Sequence, residues 1–228
     1  MPATHWLAVF QEPLDVVGFV VFLLVFPLYH GLYPLLMRWF PDRAAKVRFD
    51  RLRRSWIEGI LQRRDYIVAV QQTRNLTMVN SLLASSSLIL MGLSANLLIG
   101  KAGAPQDLLP VRSWEAHPAA VEGKIFLLII VFAVAFAYCM TSLRHLGHFN
   151  VVIGADPALL DEVEGSSIDY LATLINRASN RYTLAVRCLY SASPLFIWFF
   201  DPWSFLALTL FWGAKFVFWQ DFAHVLRR

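Results

Sequence analysis

Three histidines are the residues in this sequence that are best suited to bind a metal ion or a haem. His145 and His148 are three residues apart, which places them on one face of a helix, and His30 follows Pro27 in an earlier apolar stretch. Such a set is incomplete, because a catalytic zinc centre normally has three protein ligands that further groups hold in orientation. Hydrogen bonding between helices is the simpler interpretation, and no cofactor is predicted.

The sequence shows no familiar catalytic constellation. It has no glycine-rich phosphate loop, no HExxH and no GxSxG. Asp15 and Asp201 could act as an acid and a base if they met, but each is better placed as a helix cap. These observations favour a protein that is not an enzyme.

Polar residues recur at helical spacing within two apolar segments. In lipid, such side chains either face a partner or a water-filled cavity, or mediate close helix packing. We therefore expect either a shared polar seam or two packing faces. The first stripe contains Gln71, Arg74, Met78, Ser81, Ser85, Gly92 and Asn96, and the second contains Asn176, Asn180, Thr183, Arg187 and Ser191.

Basic residues mark one end of these segments. Arg74 and Arg144 lie at the segment ends, whereas Arg187 and Lys215 lie deeper and have only Asp221 as a nearby candidate partner. A basic cluster at this depth would attract an anion or a phospholipid head group. Long basic side chains that merely reach the membrane surface are the alternative, and they suit Arg74 and Arg144 best.

The composition places these residues in a membrane protein. Of the 228 residues, 57% are hydrophobic and only 16% are charged, and the mean hydropathy is +0.53. No charge occurs in residues 16–37, 75–100 or 125–143, and each run can cross roughly 30 Å of hydrocarbon. Because Glu12 and Asp15 precede the first run in place of basic residues, we expect a retained span and not a signal peptide.

The C-terminal apolar region is interrupted at Asp201-Pro202, a preferred N-cap followed by a preferred first helical residue. We therefore predict an all-α membrane bundle of five spans in a single domain, residues 1–228. A single kinked C-terminal span, giving four in total, is the alternative. The five spans are predicted at about residues 14–37, 75–100, 125–145, 182–200 and 203–222.

Charge asymmetry predicts the orientation of the chain. Residues 38–74 hold ten basic and four acidic residues, which places them in the cytoplasm. The N-terminus and the Asp201 turn are then outside, and Arg227 and Arg228 are inside. This pattern favours five spans over four, in a multi-pass protein of the plasma membrane, which in a bacterium is the inner membrane.

Two cytoplasmic segments lie between the predicted spans. Residues 42–62 have apolar side chains at helical spacing, which predicts an amphipathic helix that lies either on the membrane surface or against the protein itself. Residues 147–181 form the second cytoplasmic connection, and Ser166 with Asp169 predicts a helix start that continues into the fourth span.

The segment Val68 to Asn75, with Met78 and the run Leu82 to Leu90, resembles the signature of the plant and bacterial multi-pass membrane proteins grouped as domain of unknown function family 599. Further similar positions are Tyr29-His30, Ser142-Leu143-Arg144, Asn150 to Ile153, Asn180-Arg181, Pro194 to Trp198 and Asp221-Phe222. His145 and His148 do not coincide with the family pattern. The resemblance implies a membrane protein without a stated activity, and it directs attention to the cytoplasmic end of the bundle through His30, Arg74, Asn75, Arg144, Asn150, Asn180 and Arg181.

The sequence favours a non-enzymatic membrane protein that forms a homo-oligomer or a subunit of a larger membrane assembly. This prediction rests on the small-residue face Ala133, Ala137 and Thr141 and on four tryptophans expected at the surface, Trp198, Trp203, Trp212 and Trp219. One alternative is a channel or transporter for an anion or a lipid head group, built on Gln71, Arg74, Asn75, Arg144, Asn150, Asn180, Arg181, Arg187 and Lys215. A haem- or metal-binding redox protein is the second alternative. The expected partners are membrane lipids, anionic head groups and another membrane protein, and not nucleic acid.

Overall fold

The chain is described here by a computed structural model that covers residues 13–29, 31, 45–99 and 118–217. Every regular element in those ranges is a helix, which confirms the predicted all-α class. The helices are α1 (Pro13–Leu23, continued by a π-helical turn, Leu24–Leu28), α2 (Ala45–Arg63), α3 (Tyr66–Ile99), α4 (Pro118–Val152), α5 (Pro157–Glu164), α6 (Ser167–Ile197) and α7 (Pro202–Ala214).

Two of these helices are long and apolar enough to cross a membrane by themselves. They cover Tyr66–Ile99 and Ala119–Val152, each with 34 residues, and each is about 50 Å long at 1.5 Å per residue. Each helix is therefore longer than the roughly 30 Å thickness of a bilayer's hydrocarbon core. The helix Pro13–Leu28 is apolar but shorter, and Pro27 lies in its π-helical turn, where the missing N–H prevents regular α-helical bonding.

Local capping chemistry sets the helix boundaries in the second half of the chain. The Ser166 hydroxyl accepts from the Asp169 amide and starts α6, as predicted. The Asp201 carboxylate accepts from the Ser204 amide and starts α7 with Pro202 in the first position, so the predicted break at this point is confirmed. The expected connection 147–181 is almost entirely helical, because α4 continues to Val152, α5 follows and α6 begins at Ser167.

The amphipathic helix α2 packs against the protein itself. Its side chains Ile57 and Ile60 are fully buried, and Trp56 stacks on Phe149 of α4 with ring centroids 6.2 Å apart. Arg53 reaches α6, where it donates to Asn176 Oδ1 at 3.0 Å and to Ser179 Oγ at 2.7 Å. The helix therefore packs against the protein itself, and its contact with a membrane surface stays a prediction.

The direction of each long helix follows from its contacts. Thr73 meets Asn150 and Asn80 meets Ser142, so α3 and α4 are antiparallel. Ser142 meets Ala178 while Lys124 meets Trp198, so α4 and α6 are antiparallel too.

The last helix runs parallel to the first. Gly18 approaches Phe205, and Val25 approaches Gly213. The Gly18 contact is tight, since an added Cβ would lie 2.9 Å from Phe205 Cδ1, so α1 and α7 can approach only because this residue has no side chain. Helices α1, α4 and α7 therefore point one way, and α3 and α6 point the other.

Two separate hydrophobic cores occupy the two ends of the bundle. We call the first the aromatic lobe; it joins α1, α4, α6 and α7 and contains Phe22, Phe26, Phe132, Trp198, Phe205 and Phe216. The second, the aliphatic lobe, joins α2, α3, α4 and α6 and contains Ile57, Ile60, Leu146, Phe149, Ile153, Leu171 and Ile175. A small core of Ala84, Cys139 and Ala185 lies between α3, α4 and α6.

Candidate functional site

The polar stripe of α3 lies on the outside of the bundle. Gln71, Arg74 and Asn75 are exposed, and the same face continues through Met78, Ser81, Ser85, Gly92 and Asn96, which are exposed as well. The opposite face of α3 is the one that packs, through Ala69, Thr73, Asn80, Ala84 and Ser87. The structure thus does not bring the α3 stripe together with the α6 stripe.

Two polar contacts fix the packed face of α3 on α4. Thr73 Oγ1 lies 2.5 Å from Asn150 Oδ1, and Asn80 Nδ2 donates to Ser142 Oγ at 2.6 Å. Ser142 in turn donates to the Ala178 carbonyl at 2.8 Å, so one hydroxyl connects α3, α4 and α6. Asn80 Oδ1 is buried without a hydrogen-bond partner among the described residues. Asn80 was not among the predicted site residues, because no sequence signal shows which face of α3 is buried.

The α6 stripe divides among several neighbours. Asn176 accepts from Arg53 of α2, and Asn180 is half-buried while Thr183 is exposed. Arg187 is 5% exposed, with its guanidinium carbon 5.3 Å from the centroid of the Phe216 ring. This stripe therefore follows the contacts of α6 with α2 and α7 and does not line a seam with α3.

Arg187 and Lys215 contact the same cluster of aromatic side chains. The sequence had predicted only that the two residues lie at equal depth. Lys215 Nζ is 4.3 Å from the Trp212 ring and 5.1 Å from the Tyr190 ring. The Tyr190 and Trp212 rings are stacked with centroids 4.3 Å apart. Both rings contact the ring of Phe216, which also contacts the Arg187 guanidinium. Cation–π contacts thus accompany both charges within the described part of the chain. Asp221, the predicted acidic partner, lies outside the described residues.

A buried polar cluster that the sequence analysis missed joins α1, α4 and α6 at the other end of the aromatic lobe. Asp15 is 1% exposed and accepts from Trp198 Nε1 at 2.5 Å. Lys124, 7% exposed, donates to the Trp198 carbonyl at 3.0 Å and lies 4.6 Å from its ring. Asp15 in the first turn of α1 thus bonds to the end of α6, and Trp198 is a core residue instead of the expected surface tryptophan. Trp203, by contrast, is 69% exposed.

A group of basic side chains crosses from α4 to α6 beside the aliphatic lobe. His145 interacts electrostatically with four neighbouring basic side chains, those of Arg144, His148, Arg177 and Arg181. The Arg181 guanidinium carbon also lies 5.6 Å from the centroid of the Tyr138 ring. The structure therefore brings the predicted residues Arg144 and Arg181 together with His145 and His148, and it adds Arg177.

The histidines do not form a metal cluster within the described ranges. No three His, Cys, Asp or Glu side chains of those ranges are arranged to hold a metal ion. His145 and His148 lie one turn apart on α4 and are surrounded by arginines. The positive charges of these arginines repel a metal cation and so disfavour its binding. His30 lies outside the residues that the structure describes.

A protein-family model described as "Protein of unknown function, DUF599" matches residues 17–224. The chain belongs to the DUF599 family. The match runs from the first turns of α1 to beyond the end of α7, and so confirms the resemblance seen in the sequence. Neither a curated protein nor a solved structure matches the chain.

Membership of DUF599 assigns no activity to the residues described above. It does show that the helices from α1 to α7 belong to one family unit, because a single model spans them. The function of this DUF599 protein must therefore be inferred from the geometry of its surfaces.

Proposed function

We propose that this protein is a non-enzymatic, five-span membrane protein that self-associates through the outward face of α3. In this proposal the aromatic lobe lies in the bilayer and the aliphatic lobe lies in the cytoplasm. The membrane is the plasma membrane, which in a bacterium is the inner membrane.

The alternating directions of the long helices support five spans. Helices α1, α4 and α7 run away from the end that holds Asp15, Lys124 and the Asp201 turn, and α3 and α6 run toward it. Three exposed aromatic side chains flank that turn, Phe196, Phe200 and Trp203, as is typical of residues at the boundary between lipid and water. At the opposite end, Arg74 and Arg144 each stand at the edge of an uncharged stretch.

Site-directed labelling tests this topology. In a chain whose Cys139 and Cys188 are replaced by alanine, Ser204→Cys beside the Asp201 turn should react with a membrane-impermeant maleimide in intact cells. Ser55→Cys on α2 should react only after lysis. A single kinked C-terminal span would leave position 204 unlabelled, and the reverse pattern would contradict the proposed orientation.

The observation that carries self-association is the outward polar face of α3. Only 17% of the most apolar stretch of α3 is buried, against 33% for α4, so α3 lies at the edge of the bundle. Its exposed face combines Asn96, Ser85 and Ser81 with Gly92 at a depth where polar groups in lipid are costly. Small and hydroxylated residues of this kind form helix–helix contacts in membranes.

A second copy of the chain is the partner whose surface best matches this face of α3. The polar and small residues of this face recur at intervals of three, four or seven positions from Gln71 to Asn96, which is compatible with two helices packed at a small angle. Identical faces placed together also match a small residue with a small residue and an amide with an amide, as a two-fold interface requires.

Two glycine variants test the interface, and neither is expected to disturb the packing of the single chain. An added Cβ meets no atom within 4 Å at Gly92 or at Gly147, so Gly92→Leu and Gly147→Leu both leave the single chain intact. The wild-type protein in mild detergent should have a protein mass that is a multiple of 26.0 kDa. Gly92→Leu should reduce the mass to that of a monomer and Gly147→Leu should not. A wild-type monomer would refute the proposal.

A further inference from the structure

Three basic residues beside the aliphatic lobe differ from Arg53, Arg54 and Arg63 in forming no ion pair with a described acidic residue. Arg53, Arg54 and Arg63 each pair with an aspartate, at 2.9, 2.7 and 2.9 Å. None of the ion pairs between described residues includes Arg144, Arg177 or Arg181. The acidic residues of α5, Asp161, Glu162 and Glu164, likewise take part in no ion pair between described residues.

The helix register holds these charges together. The hydrogen bond from Ser142 to the Ala178 carbonyl fixes α4 against α6 within one turn of Arg144 and Arg177. One turn further along α6, Arg181 reaches back to Tyr138 on α4. Both hydrogen bond and ring contact belong to the antiparallel α4–α6 pair, so the group is a fixed feature of the fold and not a chance arrangement of flexible side chains.

The five side chains face outward, where a ligand can reach them. Arg144, His148, Arg177 and Arg181 are exposed and His145 is half-buried. Arg144 directly follows the uncharged stretch 125–143, and Arg181 directly precedes the apolar half of α6. In the proposed membrane placement the group therefore lies at the depth of the lipid phosphates.

We propose that Arg144, His145, His148, Arg177 and Arg181 form a site for a phosphate group at the cytoplasmic surface of the membrane, between α4 and α6. Guanidinium groups bind phosphate through paired hydrogen bonds, and several of them around one anion relieve their mutual repulsion. The phosphate belongs either to an anionic phospholipid or to a soluble phosphate-bearing anion. The proposal rests on the proposed membrane placement but not on self-association, which uses residues of α3.

The test compares binding to the purified full-length chain in two arms. In the first, native mass spectrometry measures retention of phosphatidylglycerol against phosphatidylcholine with the same acyl chains. In the second, calorimetry measures binding of inorganic pyrophosphate. Binding in the first arm alone identifies a lipid ligand, binding in the second alone identifies a soluble one, and binding in neither refutes the proposal.

Matched variants show whether the site or the overall charge is responsible. Arg144→Gln with Arg181→Gln should weaken binding at least about tenfold, because it removes two of the charged groups that bind the phosphate. Arg51→Gln with Arg64→Gln removes the same charge from exposed positions of the aliphatic lobe and should change binding less than about twofold on the same grounds. Equal losses in the two pairs would overturn the site.

A charge-conserving pair protects the test against misfolding. Arg144→Lys with Arg181→Lys keeps the net charge but loses the paired hydrogen bonds, and should bind more weakly than wild type and more strongly than the glutamine pair. Binding equal to wild type would mean that bulk charge is sufficient and would overturn the site. Oligomer mass should remain unchanged in every variant, so a failure here is distinguishable from a failure of the proposed self-association.

Discussion

At the scale of single residues, the polar groups buried in this apolar bundle are the ones that join helices. Asp15 of α1, Lys124 of α4 and Trp198 at the end of α6 are all at least 90% buried. In a low-dielectric core such groups are tolerated only when they have partners. We therefore assign this cluster a structural role, in holding α1 and α4 to the end of α6.

The indole of Trp198 provides a clean test of that role. Trp198→Phe keeps a ring against Phe205, which stacks on it at 4.6 Å, but removes the donor to Asp15. We expect a loss of about 1–3 kcal/mol in unfolding free energy, because a buried carboxylate loses a hydrogen bond. The measurement is unfolding in mixed micelles of mild and denaturing detergent.

Trp212→Phe is the matched control, since its Nε1 donates to the Ser193 hydroxyl at 2.9 Å in a partly exposed setting. It removes the same volume and should cost about 1 kcal/mol or less. Equal losses for the two variants would show that ring volume, and not the Asp15 contact, holds this end of the bundle.

At the scale of elements, the helix boundaries could be predicted from sequence and the buried faces could not. Ser166 and Asp201 set helix starts through local hydrogen bonds, which depend only on neighbouring residues. The period of α3 likewise groups Gln71, Ser85 and Asn96 on one face. Whether that face points inward depends on which helix packs beside it, and here the Thr73 and Asn80 contacts with α4 turn it outward.

The start of α6 carries an acid-sensitive contact. The Asp161 carboxylate accepts from the Ser167 amide at 2.6 Å, and this hydrogen bond lowers the pKa of Asp161. A carboxyl whose pKa is lower in the folded state stabilises it above the unfolded pKa of about 3.9, and the contribution disappears as pH falls through the lower folded value.

Asp161→Asn should therefore lower the melting temperature at pH 7, and the difference from wild type should vanish at low pH. Thermal unfolding of the two proteins between pH 7 and pH 3 measures this. Glu162→Gln on the same short helix is the control and should show no such pH-dependent difference. A difference for Asp161→Asn that persists at the lowest pH would contradict an electrostatic origin.

At the scale of the whole molecule, the chain is organised into two lobes with different compositions. The aromatic lobe contains the apolar helix ends, and the aliphatic lobe joins α2 to the extended ends of α3, α4 and α6. Between them, α3 presents a polar face that nothing in the described part of the chain covers. A protein that met lipid with Ser81, Ser85 and Asn96 would leave these polar groups poorly solvated, so we infer that a second copy covers them.

Cross-linking in native membranes tests this central claim most directly. In the chain with Cys139 and Cys188 replaced by alanine, Ser85→Cys on α3 is compared with Ala137→Cys on the small-residue face of α4, both at exposed positions. We predict that Ser85→Cys forms a disulfide-linked species of twice the 26.0 kDa chain mass under mild oxidation, and that Ala137→Cys does not. A cross-link at position 137 with none at position 85 would contradict the account.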